Sequence, residues 1–592
     1  MCVRNLFREK PTIEFYPEPT GCCGLDLRVQ KTRIKTVFTR TLGEFWARET
    51  VLECSQCSGI YTSKKLQELV SPGCNLGYDV LVYAGISLFL NHRNEKEIKA
   101  ELENRGVTIS LRGIAYLARK FIVYLAIAHR QSSAQLKKAM KARGGYILHL
   151  DGTCEGDSPH LMSGLDGISE LVLDNIKLPS EKAERIIPFL NGIKKTYGIP
   201  LALVHDMGKG ILSAVKKVFP GARDFICHFH FLRDIGKDLF GKENDIIRNR
   251  LRHHGVQGQL RKKAIALKNG IDHHPGLTDA LVASLGSGKI EQWALEQAPE
   301  FAAYTLIQWA LDGKHQGDGY GFPFDRPYLV FYQRLQTLYA QCEKLQQIRL
   351  HHCLKDSKTF LKVCRLLQGT MGDRALHTAA EQLQKKAFVF DKLRKAMRIA
   401  DPMQNRGIND DGEDIDIKTI EKGVKEFRHW LVNSNHYSKN RDYQKMVAQI
   451  DKYWEKLFAD PITVDTQQGK ITIQPQRTNN LLERFFRDIK RRFRKKSGSN
   501  SMGKTLQAML ADTPLVKNLE NQEYLNILLN GKTTLEALFA EIDAKIVREE
   551  MRKTQDESEK IPTKLRRIIK KPQLPQIIVK LFTNHLQNLK HN

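Results

Sequence analysis

The sequence predicts a multidomain protein of α/β plus α class, in which a mixed-sheet core is interrupted by a large all-α insertion. Three observations carry this expectation. From Gly145 to Phe231, short apolar runs and amphipathic stretches follow one another in the order strand, strand, strand, helix, strand, helix, strand. Residues 236–468 then turn almost wholly to helical periodicity, a stretch too long to be a loop. A basic amphipathic segment, TNNLLERFFRDIKRRFRKKSG, runs from Thr478 to Gly498 beyond it. At 592 residues and 41% hydrophobic the chain can bury more than one core.

Residues 1–80 are rich in Gly, Pro and Cys, with a basic strand-like stretch between Cys22-Cys23 and Cys54-x-x-Cys57. These four cysteines, with Cys74 as a substitute, form an expected structural Zn²⁺ site, set against buried free thiols. Eleven cysteines, an odd number in a long chain, point to reduced thiols rather than a disulfide framework. In residues 81–140, a helix from Asn94, a tight turn at Gly106 and a longer helix opened by Ser110 outline a helix-turn-helix. Arg112, Arg119 and Lys120 on its second helix are expected to reach DNA phosphates or base edges, although the same outline packs any helical pair.

In residues 141–235 the strands are GYILHLDGT, HLMSGL, SELVLDNIKL, PLALVHDM and ARDFICHFHF, with one helix opened by Ser180 and another over GKGILSAVKKVFPG. Within the insertion, Trp309, Tyr320, Phe322 and Phe324 cluster near a Gly-rich turn; core packing is the main expectation and stacking on a flipped base the alternative. The core resumes over residues 469–500 with KITIQ and the Glu483 helix, and residues 501–592 read as helical and basic.

The chemistry is expected where acids gather. Asp151 and Asp206 fall at or just beyond the ends of the first and fourth core strands, where open α/β sheets collect ligands. Glu483 heads the basic helix. Together they could hold two Mg²⁺ (or Mn²⁺) ions about 3.5–4 Å apart for phosphodiester chemistry. Each has a plainer reading: a DGT turn for Asp151, a helix cap for Asp206, an ion pair with Arg487 for Glu483. Asp488, five residues along the helix, points away from Glu483. His205 is expected to face the other way from Asp206, and His149 to be a packed core histidine.

From Arg484 to Lys496 eight Lys or Arg stand against one acid, while Leu482, Phe485, Phe486, Ile489 and Phe493 form a buried stripe. Arg484, Arg487, Lys490, Arg491 and Arg494 are expected to face DNA, and Arg477, Asn479 and Asn480 to touch its backbone. The formal net charge of +28, from 94 Lys and Arg against 66 Asp and Glu, favours a polyanionic partner.

LHLDGT, LALVHD, ICHFHFLRDIGKDLF and TNNLLERFFRDIKRR, in that order, resemble the signature blocks of DDE transposases of the Mutator-like kind, close to bacterial insertion-sequence enzymes. The resemblance covers roughly residues 145–240 and 470–500. It implies an RNase H-like catalytic domain, a helical insertion between the second Asp and the Glu, and Asp151, Asp206 and Glu483 as the metal-binding acids. Cys227 and His230 match the family's Cys-x-x-His motif, which by pattern is half a zinc site and is not assigned a metal. It further implies phosphoryl transfer on the ends of a mobile element, with double-stranded DNA as partner and a homodimer or higher oligomer to hold two ends. A silent DNA-binding regulator and a nuclease without strand transfer are the alternatives. No uninterrupted apolar run of spanning length and no secretory signal is evident, so a soluble, cytoplasmic, nucleoid-associated protein with no membrane partner is expected.

Overall fold

A computed structural model describes residues 10–18, 27–315, 317–351, 357–399, 416–466, 469–556, 568–569 and 571–589. The protein is mixed α/β. Its N-terminal sheet comprises β1 (Thr12–Phe15), β2 (Leu27–Thr39), β3 (Gly43–Cys54) and β4 (Ile60–Tyr61), in the order β1-β3-β2 with β4 also on β3. Alternation in β3 turns Phe45, Ala47 and Val51 inward while Trp46 and Arg48 face solvent. Cys22 and Cys23 lie outside the described residues. Cys54 is buried and Cys57 exposed, while Cys74 accepts a hydrogen bond from Lys120 at 3.2 Å.

Ser110 caps the Leu111–Gln131 helix through its hydroxyl, as the sequence leads one to expect, and the turn before it has Gly106 at φ +76°. This helix is a central post. Every residue from Phe121 to His129 is buried, and only its first turns show Arg112 and Arg119 to solvent. Lys120 corrects the expectation of a DNA contact: it is 8% exposed, turned onto Cys74 and the Tyr124 ring, because its position falls on the packed stripe. The Tyr78–Phe89 helix packs across this post, and residues from Met502 to Met551 close on the same apolar cluster. The helical parts on either side of the core thus share its interior rather than standing apart.

The core sheet has five strands, β5 (Ile147–Thr153), β6 (His160–Asp166), β7 (Val172–Leu178), β8 (Ala202–His205) and β9 (Asp224–Ile226), in the order β7-β6-β5-β8-β9. β5, β6 and β7 run antiparallel to their neighbours, while β5, β8 and β9 run parallel. The last strand is shorter than the sequence suggests. A helix starts at His228 and runs, with a kink at Phe240, to His253, because Phe231, Leu232, Ile235 and Leu239 are buried at helical spacing. Likewise Ser180 caps nothing: the helix after β7 is Ala183–Tyr197, with Lys182 before it.

The insertion is a set of helices with an apolar cluster of its own. Phe324 stacks on Phe229 with ring centroids 4.7 Å apart, and Phe322 meets Phe240 edge-on at 5.5 Å, which is the core-packing role. Trp309 lies apart from them, 40% exposed under Arg334. The stretch around KITIQ corrects the expected resumption of the core. It forms a separate antiparallel hairpin, β10 (Ile462–Thr466) with β11 (Gly469–Ile473), whose Ile462 packs on Ile147 and Val204 without joining the five-stranded sheet. No helix among the described residues is long and apolar enough to cross a membrane.

Gly85 tests how tightly the central post is packed. A Cβ there would lie 2.1 Å from Cγ of Phe121. Gly85→Ala gains about 1 kcal/mol of helix propensity but overpacks the contact by about 1–3 kcal/mol. The expected result is a lower denaturation midpoint; an unchanged or raised midpoint would show that the two helices are not in such contact.

Candidate active site

Parallel register brings the two aspartates together. Ile147, Leu148, His149 and Leu150 pair with Ala202, Leu203, Val204 and His205, so the next step sets Asp151 beside Asp206. Asp151 lies within β5 and Asp206 directly follows β8. Their plainer roles are also filled. Asp151 Oδ1 accepts the Gly152 N–H at 2.8 Å, and Asp206 Oδ1 accepts that of Gly208, which precedes the Lys209–Val218 helix, at 3.0 Å. Asp151 is 6% exposed, and its Oδ2 has no hydrogen-bond partner among the described residues.

Glu483 sits in the first turn of the Asn480–Ser497 helix, and the residue before that helix holds it in place. Asn479 is fully buried. Its Nδ2 donates to the Leu150 carbonyl at 2.7 Å, and its Oδ1 meets His149 Nδ1 at 2.9 Å. Since Nδ2 is the donor to Leu150, Oδ1 must accept, and His149 carries its proton on Nδ1. Burial brings the His149 pKa down to about 4, so the ring is neutral and packed, as expected of it. The Asn479 N–H completes the set on Cys227 Sγ at 3.2 Å. Asn479 therefore corrects the expectation of a DNA-backbone contact, because all of its polar groups are spent inside. Arg477 is half-buried: its Nη1 donates to the Met397 carbonyl at 2.8 Å and its own carbonyl accepts from His228. Asn480 is half-buried as the first helical residue.

This network gives the Cys-x-x-His pair a concrete position. The Cys227 N–H donates to the His205 carbonyl at 2.8 Å, tying the start of the long helix to β8. Burial, with Glu483 adding to it, pushes the Cys227 thiol up to about 12, so the group is a neutral thiol. One turn on, His230 Nε2 stands 3.7 Å from Glu483 Oε1. Burial holds the His230 pKa below its ordinary value, with Glu483 and Asp206 opposing. Glu483 thus faces His230, and no ion pair with Arg487 is formed among the described residues. His205 turns the other way, as its strand position requires, with Nε2 2.7 Å from Asp224 and Lys456 beyond it.

Burial raises Asp151 well above the usual carboxylate range, and the charges of Asp206, Glu483 and Glu181 raise it further. Glu181, the smallest of these contributions, lies just ahead of the Ala183–Tyr197 helix. Among the described residues no group of three or more His, Cys, Asp and Glu is gathered closely enough to hold a metal ion as the side chains stand. The donors are nevertheless of the right chemistry for a hard cation: carboxylates only, with Asp206 and Glu483 adding to the rise in the Asp151 pKa that burial causes.

Arg484, Arg487, Lys490, Arg491 and Arg494 are all exposed on the helix that begins beside Asp151. Its buried side, Leu482, Phe485 and Phe486, joins the central cluster. Asp488 lines a cavity of about 220 Å³ with Ile122, Phe485, Ile489 and Phe493, on a different face from Glu483.

Asp151→Asn tests the electrostatic strain. The folded protein keeps the Asp151 proton to a higher pH than the unfolded chain, whose carboxyl titrates near its ordinary 3.8. Wild-type stability is therefore lost as pH rises above that value, and the variant escapes this loss. In cation-free buffer the variant is expected to melt with the wild type near pH 4 and a few degrees above it at pH 7. A difference that does not grow with pH would contradict the convergence of acids on Asp151. No protein-family model matches the chain, and no curated protein matches it, so its functional reading stands on this geometry.

Proposed function

We propose that this chain is a DNA transposase with an RNase H-like catalytic core, which cleaves at the ends of its mobile element and joins the freed 3′-hydroxyls to target DNA. The observation that carries the reading is geometric: β5 and β8 pair in parallel and set Asp151 beside Asp206, and Glu483 opens a helix, beyond the insertion, whose preceding residue Asn479 is bonded to β5. The strand order β7-β6-β5-β8-β9, antiparallel on one side of β5 and parallel on the other, supports an RNase H-like core. The helices between the second Asp and the Glu stand where the resemblance calls for an insertion.

In this reading Asp151, Asp206 and Glu483 hold Mg²⁺ (or Mn²⁺), which when bound supplies Lewis-acid stabilisation of the attacking and leaving oxygens. The chain does the rest. Asn479 fixes the depth of Glu483 against β5, and neutral His230 stands against the Glu483 carboxylate from the side. Arg484, Arg487, Lys490, Arg491 and Arg494 draw the phosphate backbone along the helix that carries the acid. Arg112 and Arg119, on the outer turns of the Leu111–Gln131 helix, extend the DNA-facing surface. Water attacks a phosphodiester at the element end, the P–O bond to the 3′ oxygen breaks, and that oxygen leaves as a 3′-hydroxyl. The hydroxyl then attacks a target phosphodiester in line: its oxygen forms a new P–O bond, the target's own P–O3′ bond breaks, and the proton lost by the attacking hydroxyl is balanced by the one that the leaving target 3′ oxygen takes up. A homodimer or higher assembly holds the two ends.

The test is incubation with labelled element ends, Mg²⁺ and a target plasmid. Joined products are the expected result; cuts alone would mean a nuclease, and a mobility shift without cuts a regulator. Glu483→Gln keeps the shape of the side chain and removes its charge, so cutting is expected to fall at least 100-fold while DNA affinity holds within about twofold. Retained cutting would contradict the role of Glu483.

A further inference from the structure

We propose that Cys342 and Cys364 form a redox-active dithiol in the insertion, which a low-molecular-weight disulfide converts to a protein disulfide that staples two of its helices together. Cys342 lies on the Pro327–His351 helix and Cys364 on the Lys358–Met371 helix that follows it. The first helix buries Leu335, Leu338, Cys342 and Arg349 along one stripe, and the second buries Phe360, Val363 and Leu367. Cys364, one turn beyond Phe360, falls at the edge of its stripe and packs on the apolar cluster that contains Cys342. The two helices pack against each other, with the Arg349 guanidinium 5.5 Å from the centre of the Phe360 ring. Two turns back from Arg349 and one turn on from Phe360, an antiparallel pair brings the two cysteines to within a turn of the same level. There the Cys342 thiol donates a hydrogen bond to Cys364 Sγ, and both residues are free cysteines.

The two sulfurs have different parts to play. Cys342 is fully buried, whereas Cys364 is half-buried and within reach of a small reagent. Donation from Cys342 holds the Cys364 thiol below its ordinary range, and Arg349 acts in the same direction against burial and Glu343. Arg349 is itself buried, and its Nε and Nη1 have no hydrogen-bond partner, so a cation stands beside the pair without a carboxylate bonded to it at those atoms. Cys364 is therefore the attacking sulfur and Cys342 the resolving one. The Cys364 thiolate forms a bond to one sulfur of the reagent, the reagent S–S bond breaks, and the first reagent thiolate leaves and takes up the proton that Cys364 lost. Cys342 sulfur then bonds to Cys364 sulfur, the mixed disulfide breaks, and the second reagent thiolate leaves with the Cys342 proton. Two protein thiols are oxidised by two electrons, and the reagent is reduced to two thiols.

The test uses the full chain with oxidised glutathione, followed by acid quenching, alkylation under denaturing conditions and peptide mapping by mass spectrometry. Cys57 and Cys154, both exposed, report that the reagent is active. In the wild type, alkylation of Cys342 and Cys364 is expected to fall about tenfold or more, with a linked pair of peptides in their place that dithiothreitol separates. In Cys342→Ala glutathione is expected to stay on Cys364, for want of a resolving thiol. In Cys364→Ala, Cys342 is expected to remain a free thiol, because nothing delivers the reagent to a buried sulfur. Wild-type protein in which both thiols stay alkylatable after Cys57 has reacted would overturn the proposal. Glutathione that persists on Cys364 while Cys342 is intact would also overturn it. If either variant does not fold by circular dichroism, the wild-type map decides alone.

Discussion

The buried amide of Asn479 is the constraint on which the site depends. The helix that follows it carries a dense run of cations, and nothing in that charge favours a position against a sheet. Three hydrogen bonds give it one. The amide is shared between the Leu150 carbonyl and the His149 ring, and the backbone N–H rests on Cys227. Leaving any one of these groups unpaired inside the protein would cost about 1–3 kcal/mol, so the alternatives in which the helix slides or rotates are disfavoured together. The result is that Glu483 has one depth and one heading, next to the strand that bears Asp151.

The same pin gathers the rest of the fold around the acids. Cys227 stands immediately before the helix that opens the insertion, and its backbone is hydrogen-bonded to β8. β8 leads straight into Asp206. A single buried cluster therefore joins the strand of one aspartate, the strand of the other, the start of the insertion and the start of the Glu483 helix. The insertion can be long without loosening the site, because its two ends are tied at one place: the His228 N–H donates to the Arg477 carbonyl at 2.9 Å. What this arrangement does not relieve is charge. Burial and the neighbouring carboxylates hold the Asp151 pKa well above the usual range.

Much of this was legible in the sequence, and the rest was hidden for definite reasons. Five strands and two helices in order, the Ser110 cap and the buried stripe of the Glu483 helix all follow from short-range periodicity. The adjacency of Asp151 and Asp206 follows from acids at the ends of neighbouring strands. Asn479 was read as a DNA contact because a polar residue before a basic helix gives no sign of burial; its partners are far away in sequence. Lys120 misleads in the same way, since a lysine on a packed stripe keeps its charge in the sequence whatever it touches. The β10–β11 hairpin is hidden by the expectation that a strand near the core must join the core sheet. In each case the deciding contact is tertiary, and local pattern carries no information about it.

The most direct test of the central claim, that the acids of β5, β8 and the Glu483 helix meet at one point to hold a divalent ion, is anomalous diffraction from crystals grown with Mn²⁺. The account predicts a peak bounded by carboxylate oxygens of Asp151, Asp206 and Glu483, with Asn479 still bonded to Leu150. A Mn²⁺ peak elsewhere, or Glu483 turned away from an ion held by the aspartates alone, would contradict it.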